Sequence, residues 1–472
     1  MAVISTDLLV IGAGSGGLSV AAGAVQMGAD VTLVEGGEMG GDCLNYGCVP
    51  SKSLIASAKA AHAIAHPAAP GVTPGAADPD YAAAMAGVQE VIARIAPHDS
   101  QARFEDLGVR VIRAWARFRS PREVEAGEHV IRARRIVLAT GSSPLVPPIP
   151  GLAEVPHLTN ETLWDLRECP RHLIVIGGGP IGIEMAQAHR RLGSGVTVIE
   201  GARALGREDP EAAALILDRL RAEGVAIEEN APAAEVRGSD GAIEVVAEDG
   251  RVFEGSHLLV AVGRRANTDT LNLGAAGIET TRTGVRVDGR LRTTNRRVFA
   301  IGDAAGGLQF THLAGYHAGI VIRQALLGLP ARARTDHIPR VTYTAPELAQ
   351  IGLTEAEARD AHGARLEVAR FDYSGNDRAL AERKPEGFIK VMVARGKPVG
   401  VTIAGHQAGE HINLWALVLA NGVSMKSVTA MVSPYPTVGE ISKRAAGAYF
   451  SPKLFDNPLL KRVVGMVQRF LP

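Results

Sequence analysis

The sequence predicts an α/β chain in which one βαβ unit occurs twice and an α+β domain follows. Three observations predict it. The apolar run Asp7-Leu-Leu-Val-Ile11 leads into Gly12-Ala-Gly14-Ser-Gly-Gly17, a helical pattern to about Met27, and a second run, Asp30-Val-Thr-Leu-Val-Glu35, that ends in an acid. The same order returns as His172-Leu-Ile-Val-Ile176, Gly177-Gly-Gly179-Pro-Ile-Gly182, a helix near Glu184 to Arg191, and Gly195-Val-Thr-Val-Ile-Glu200. After position 337, Phe388 to Val393 and Val399 to Ala404 alternate as strands and Ile412 to Ala420 reads as a helix, which suits an α+β domain.

The first glycine (12 to 177) and the terminal acid (35 to 200) are each displaced by 165 positions. One glycine-rich turn is weak evidence, whereas two with matching acids are strong. In each copy the first glycine allows the turn, the second admits a pyrophosphate against the backbone, and the third lets helix and strand approach. Phosphate charge then meets the helix N-terminus. Glu35 and Glu200 are placed to accept hydrogen bonds from an adenosine ribose, so two Rossmann-like dinucleotide-binding domains are expected.

The proline-rich passage Ser142 to Gly151 suits a stiff domain crossing. Ile136-Val-Leu-Ala-Thr-Gly141 and Leu259-Val-Ala-Val-Gly263-Arg264 read as a later strand of each copy. Val298-Phe-Ala-Ile-Gly302-Asp303 then suggests that the chain returns to complete the first domain. The expected units are 1–150 and 266–336 for the first, discontinuous domain, 151–265 for the second, and 337–472 for the third. The segment from His66 to Pro79, with four prolines, is expected to be a surface loop.

With 472 residues the chain is too long for one core, and 46% hydrophobic and 21% charged residues describe a folded globular protein. Lys plus Arg and Asp plus Glu both number 50, so no basic field exists to hold a nucleic acid. The start lacks a basic stretch of the secretory kind. The uncharged stretch Leu8 to Ala29 contains six glycines and reads as strand, loop and helix rather than a membrane span. Three cysteines are typical of a reducing compartment, and a cytoplasmic location is expected.

Eight residues beyond Glu35 comes Gly40-Gly-Asp-Cys43-Leu-Asn-Tyr-Gly-Cys48-Val-Pro-Ser-Lys52. With only Cys169 besides, a thiolate-rich zinc site cannot be built, and no metal site is expected. A structural disulfide closing so short a loop would add only roughly 2 kcal/mol. The pair reads instead as a redox couple, and Lys52, one helical turn after Cys48, as a cation that favours a thiolate.

This motif, both glycine turns, Ala139-Thr-Gly141, Ala261-Val-Gly263-Arg264, Ile301-Gly-Asp303 and Thr344-Ala-Pro-Glu347 together resemble the flavoprotein disulfide reductases. That family, the class I pyridine nucleotide-disulfide oxidoreductases, includes dihydrolipoamide dehydrogenase, glutathione reductase and mercuric reductase. The resemblance implies that Gly12, Gly14, Gly17, Glu35, Gly141 and Asp303 hold FAD, with Asp303 on the ribityl chain. It assigns the nicotinamide cofactor to Gly177, Gly179, Gly182, Glu200 and Gly263. Cys43 is then the interchange thiol, Cys48 the thiol facing the flavin, and Lys52 and Glu184 a pair near flavin N5. A homodimer built through the third domain is also implied. Glu200 favours NAD over NADP, because a carboxylate there repels a 2′-phosphate, while Arg203 and Arg207 read as surface charges.

The pattern departs from the family in the third domain. Disulfide-reducing members carry His-Pro and a glutamate four residues after the proline, where this chain has Tyr435-Pro436 and Glu440. A phenol titrates near pH 10 and an imidazole near 6.5, so Tyr435 donates hydrogen bonds but is a poor base. His406 and His411 lie in the same domain but read as surface or packed residues. The chain also lacks the late cysteine pair of mercuric reductases, having no cysteine after Cys169. The expected activity is transfer from NAD(P)H through FAD and the cysteine pair to a disulfide such as the lipoamide couple. The alternatives are reduction of a metal ion or quinone, or a non-turnover redox sensor. Leu459 to Leu471 forms an amphipathic helix with Lys461, Arg462 and Arg469 on its polar side, expected to pack on its own domain rather than on a partner or membrane.

Overall fold

The computed structural model describes residues 2–470. Continuous apolar runs become central strands because helices cover both faces of a parallel sheet. Strand Ala2–Ile11 buries Leu8, Leu9, Val10 and Ile11, and His172–Ile176 buries Leu173 through Ile176. Around the former the sheet runs Arg110–Arg113, Val31–Glu35, Ala2–Ile11, His129–Leu138, then the antiparallel strands Glu123–Ala126 and Ala116–Ser120. Val298–Ala300 adds in parallel to His129–Leu138, with Val298 opposite Ile136, so the chain does return to its first sheet.

The second unit is a four-stranded parallel sheet in the order Val225–Glu228, Gly195–Ile199, His172–Ile176, His257–Val260. A three-stranded antiparallel sheet from Ala233 to Gly255 stands beside it. Between the two units, Ser142–Pro144 pairs antiparallel with Arg264–Ala266. The outgoing and returning crossings therefore lie side by side, next to Gly141 and Gly263.

The third unit is a five-stranded antiparallel sheet, Arg340–Thr342, Glu347–Gly352, Lys397–Gly405, Gly387–Ala394, Leu366–Asp372. Helices Ala408–Ala420 and Glu440–Phe455 pack on it around the fully buried Trp415, whose indole N–H donates to Ser442 Oγ at 3.1 Å. The segment from His66 to Pro79 is a largely exposed connection between helices Cys48–Ala65 and Tyr81–Ile95. Leu8 to Ala29 is strand, turn and helix, and among the described residues no helix is long and apolar enough to cross a membrane.

One expectation fails. The amphipathic segment does form a helix, Pro458–Phe470, but none of its residues is buried, so it does not pack on its own domain. Leu471 lies outside the described residues. The apolar pattern specifies which face seeks cover, and the chain's own domain does not supply the cover.

Candidate active site

The two glycine turns repeat one steric arrangement. Gly12 has φ +105°, and a Cβ there would sit 2.3 Å from the Ala139 carbonyl oxygen; Gly177 has φ +114°, and its Cβ would sit 2.5 Å from that of Ala261. A Cβ on Gly17 would strike Gly12 O at 1.8 Å, and one on Gly182 would strike Gly177 O at 2.0 Å. The middle glycines face open space: Gly14 meets only Gly41 Cα at 3.9 Å and Gly179 meets nothing within 4 Å. They cap helices Ser15–Gln26 and Pro180–Arg191, which have no side-chain cap and no acid in the first turn. The first-turn amides thus keep their partial positive charge toward the open side, which fits a pyrophosphate at each turn.

The paired acids also match. Glu35 accepts from the Ala13 N–H and from the Gly37 N–H at 2.6 Å, and Glu200 accepts from Gly178 N–H at 2.7 Å and Ala202 N–H at 2.9 Å. Each carboxylate is fixed beside its turn with lone pairs left for ribose hydroxyls. Arg203 and Arg207 are exposed and line the cavity at the Glu200 end.

The cysteine loop is tied to the first turn. Gly40 N–H donates to Ala13 O at 2.9 Å, and a Cβ on Gly41 would lie 2.7 Å from Gly14 Cα, so bulkier residues would push the loop off the turn. Asn45 Nδ2 closes the loop on Met39 O at 3.1 Å and Gly41 O at 2.9 Å. Cys43 and Cys48 are both free thiols and hydrogen-bond each other, while Cys48 Sγ lies 3.3 Å from Thr311 Oγ1. The hydrogen bond from Cys43 pulls the Cys48 pKa down to about 6 against the effect of burial, with Thr311 and Lys52 assisting. That same hydrogen bond, burial and the Cys48 charge push Cys43 far up. The two shifts favour the thiolate on Cys48 and the thiol on Cys43.

Lys52, on the same helix as Cys48, reaches Glu184 Oε2 of the second turn's helix at 2.9 Å. Glu184 is buried, and its Oε1 accepts from the Tyr343 N–H at 2.9 Å, while the Lys52 ammonium sits 4.4 Å from the Tyr343 ring centroid. Burial opposes the Lys52 charge, but the Glu184 carboxylate and Cys48 outweigh it and hold the pKa above the ordinary lysine range.

A polar chain that the sequence reading did not assemble runs from Asp303 to the cysteine loop. Ser142 Oγ donates to Asp303 Oδ2 at 2.6 Å, Arg264 Nε donates to Ser142 Oγ at 2.8 Å, and Arg264 pairs with Asp42 at 2.8 Å. Asn160 Nδ2 donates to Asp42 Oδ1 at 3.0 Å. Burial pushes the Asp303 carboxyl up. Of these partners Arg264 and Asp42 lie in motifs quoted from the sequence, whereas Ser142 and Asn160 carried no site signal.

One cavity of about 1990 Å³ connects Gly14 with Gly177 through Gly179, and Cys43, Cys48, Lys52, Glu184, Glu200 and Asp303 all line it. Gly141 and Gly263 line it as well. Tyr435 and Glu440 do not. Tyr435 is 68% exposed on the third unit and donates to Asp377 Oδ2 at 2.8 Å; Glu440 begins helix Glu440–Phe455. His411 is packed with its Nε2 unpartnered, and His406 lies 3.5 Å from Glu382. Among the described residues, no group of three or more His, Cys, Asp or Glu is set to hold a metal ion.

Comparison with known proteins agrees with this arrangement. Residues 6–318 match the family model "Pyridine nucleotide-disulphide oxidoreductase" and residues 338–446 its dimerisation domain. A mercuric reductase of Bacillus cereus is 33% identical over 447 residues, covering 93% of this chain and 70% of that protein. The dihydrolipoyl dehydrogenase of Bacillus subtilis (strain 168) is 32% identical over 445 residues, 92% of this chain and 96% of that protein. The HOCl-induced flavoprotein disulfide reductase RclA of Escherichia coli, solved as a Cu(II) complex, superposes with a TM-score of 0.83 at 29% identity, covering 93% of this chain and 99% of that one. The chain therefore belongs to the pyridine nucleotide-disulphide oxidoreductases, enzymes that contain FAD and use NAD(P)H, and carries their dimerisation domain.

Proposed function

We propose that the chain is a cytoplasmic NADH-dependent reductase that passes two electrons through Cys43 and Cys48 to an acceptor disulfide of the lipoamide type. The observation that carries this reading is the convergence, in one cavity, of two open glycine turns, the thiol pair and the Lys52–Glu184 ion pair. The first turn with Glu35, Gly141 and Asp303 holds FAD, and the second with Glu200 and Gly263 holds NADH. FAD, when bound, supplies the two-electron relay between nicotinamide and sulfur. Lys52 keeps a positive charge beside the thiolate, and Glu184 fixes its position.

Disulfide reduction draws on Cys43 as the nucleophile, although the two shifts favour the thiol there and the thiolate on Cys48. The Cys43 proton passes to the neighbouring Cys48 thiolate as Cys43 attacks, so the step is written without an outside base. Cys43 attacks one sulfur of R–S–S–R, the Cys43–S–R bond forms and one thiolate leaves. Cys48 then attacks Cys43, its proton goes to the leaving sulfur, and the Cys43–Cys48 disulfide closes. The balance is NADH + H⁺ + RSSR → NAD⁺ + 2 RSH. Dithiol oxidation would instead draw on a base, and the Asp377 carboxylate that binds the Tyr435 hydroxyl pushes that phenol above its ordinary range. In a homodimer the partner copy brings Tyr435 and Glu440 to the acceptor as hydrogen-bonding groups.

A second reading, reduction of a soft metal ion, is favoured by the two free thiols that line the cavity, since such ions prefer sulfur ligands, and by a chemistry that requires no base. NADH oxidation assayed with lipoamide, glutathione disulfide, mercuric ion and a quinone tests both. Lipoamide turnover abolished by Cys43→Ser supports the first reading. Turnover of mercuric ion without lipoamide turnover replaces it with the second, and quinone turnover that survives Cys43→Ser rejects both.

A further inference from the structure

Helix Pro458–Phe470 is the most sharply two-faced of the longer helices in the chain. At 3.6 residues per turn, its apolar side chains from Leu459 to Phe470 fill one arc of about 160°, and Lys461, Arg462 and Arg469 lie opposite. Every residue is exposed, including Val464 at 52% and Phe470 at 78%. The helix contains no acid, in a chain whose cations and anions are equal at 50 each. None of its three cations has a carboxylate partner among the described residues, whereas Arg359 and Arg378 each pair with a glutamate one turn away.

We propose that this helix lies in the headgroup layer of an anionic lipid surface and holds the enzyme there. An apolar arc with a cationic, acid-free polar side is the pattern of an in-plane interfacial helix. Its 13 residues extend about 20 Å, short of the roughly 30 Å hydrocarbon core, so it lies along the surface and does not cross. The charge complementarity selects the occupant. A second copy of the same helix covers the apolar arc but brings no acid, so it leaves the three cations of each copy without counter-charges. Anionic headgroups neutralise those charges. Each cation near an anionic leaflet strengthens binding by roughly five-fold, so three give on the order of a hundred-fold preference over a neutral surface.

The test is cosedimentation of the full-length flavoprotein with vesicles of phosphatidylcholine alone or mixed equally with phosphatidylglycerol. The full chain is expected to sediment with the anionic vesicles about a hundred-fold more strongly, and 0.5 M salt should release it. The variant Lys461→Glu/Arg462→Glu/Arg469→Glu and the variant Leu460→Asp/Val464→Asp should both stay in the supernatant. NADH-dependent ferricyanide reduction should be unchanged in both, since the helix contributes nothing to the core. No binding to either vesicle overturns the proposal, as does equal binding of the variants or of the neutral vesicle. Loss of the dimer by light scattering in the Leu460→Asp/Val464→Asp variant also overturns it, assigning the apolar arc to a second copy.

Discussion

Glu184 Oε2 lies 2.9 Å from Lys52 Nζ, and the other oxygen of the same buried carboxylate accepts from the Tyr343 N–H. One side chain thereby joins the helix that carries Cys48, the helix of the second glycine turn and the entry to the third unit's sheet. The contact ties the thiol-bearing helix to the helix of the second glycine turn.

Glu184→Gln keeps the shape and removes the charge. The hydride half-reaction with NADH, followed by stopped-flow absorbance, should slow at least ten-fold. Stability in urea should fall by about 2 kcal/mol, the usual worth of a hydrogen bond to a charged group. An unchanged hydride rate would leave the pair a purely structural strut.

The thiol pair sets a pH window. Cys48 falls from the ordinary value of 9.0 to about 6, chiefly through the hydrogen bond from Cys43. Because the folded pKa lies below the unfolded one, the thiolate's contribution to the stability of the dithiol form is complete above about pH 9 and is lost as pH falls through about 6. Thiolate absorbance at 240 nm of the reduced protein should titrate near pH 6. In Cys43→Ala it should move up toward 9, and a midpoint unmoved by that change would contradict the pairing.

Glu200 accepts two backbone hydrogen bonds beside the second turn, so in the proposed coenzyme site its charge stands where a 2′-phosphate would enter. Glu200→Gln should move the kcat/KM ratio toward NADPH by roughly ten-fold, equivalent to about 1.4 kcal/mol. The exposed Arg203 and Arg207 at that end of the cavity then attract the phosphate unopposed. A ratio that does not move would place the coenzyme elsewhere.

Tyr435→His tests the departure in the third unit. Dihydrolipoamide oxidation near pH 8 should rise ten-fold or more, because an imidazole accepts protons there and a phenol does not. Lipoamide reduction should change less than three-fold, since the Cys43 proton already has an acceptor in Cys48. Equal gains in both directions would show that Tyr435 shapes the pocket instead.

The local parts of the site were legible because they repeat or sit close in sequence. Gly12 with Glu35 and Gly177 with Glu200 form equivalent turns from equivalent strings, and Lys52 follows Cys48 by one helical turn. The remaining partners around the thiols were not legible. Thr311 is 263 positions from Cys48, and Asn160 is 118 from Asp42, so only folding brings them together. The helix Pro458–Phe470 failed for another reason. Periodicity identifies an apolar face, but what covers that face depends on surfaces that the periodicity does not encode.

Anaerobic titration of the purified flavoprotein with NADH tests the central claim most directly. The account predicts uptake of four electrons per subunit, two by the flavin and two by the sulfur pair, with a long-wavelength absorption band greatest after the first two. In Cys43→Ser uptake should fall to two electrons. Two-electron uptake by the unaltered protein, with no such band, would contradict a sulfur pair in redox contact with the flavin.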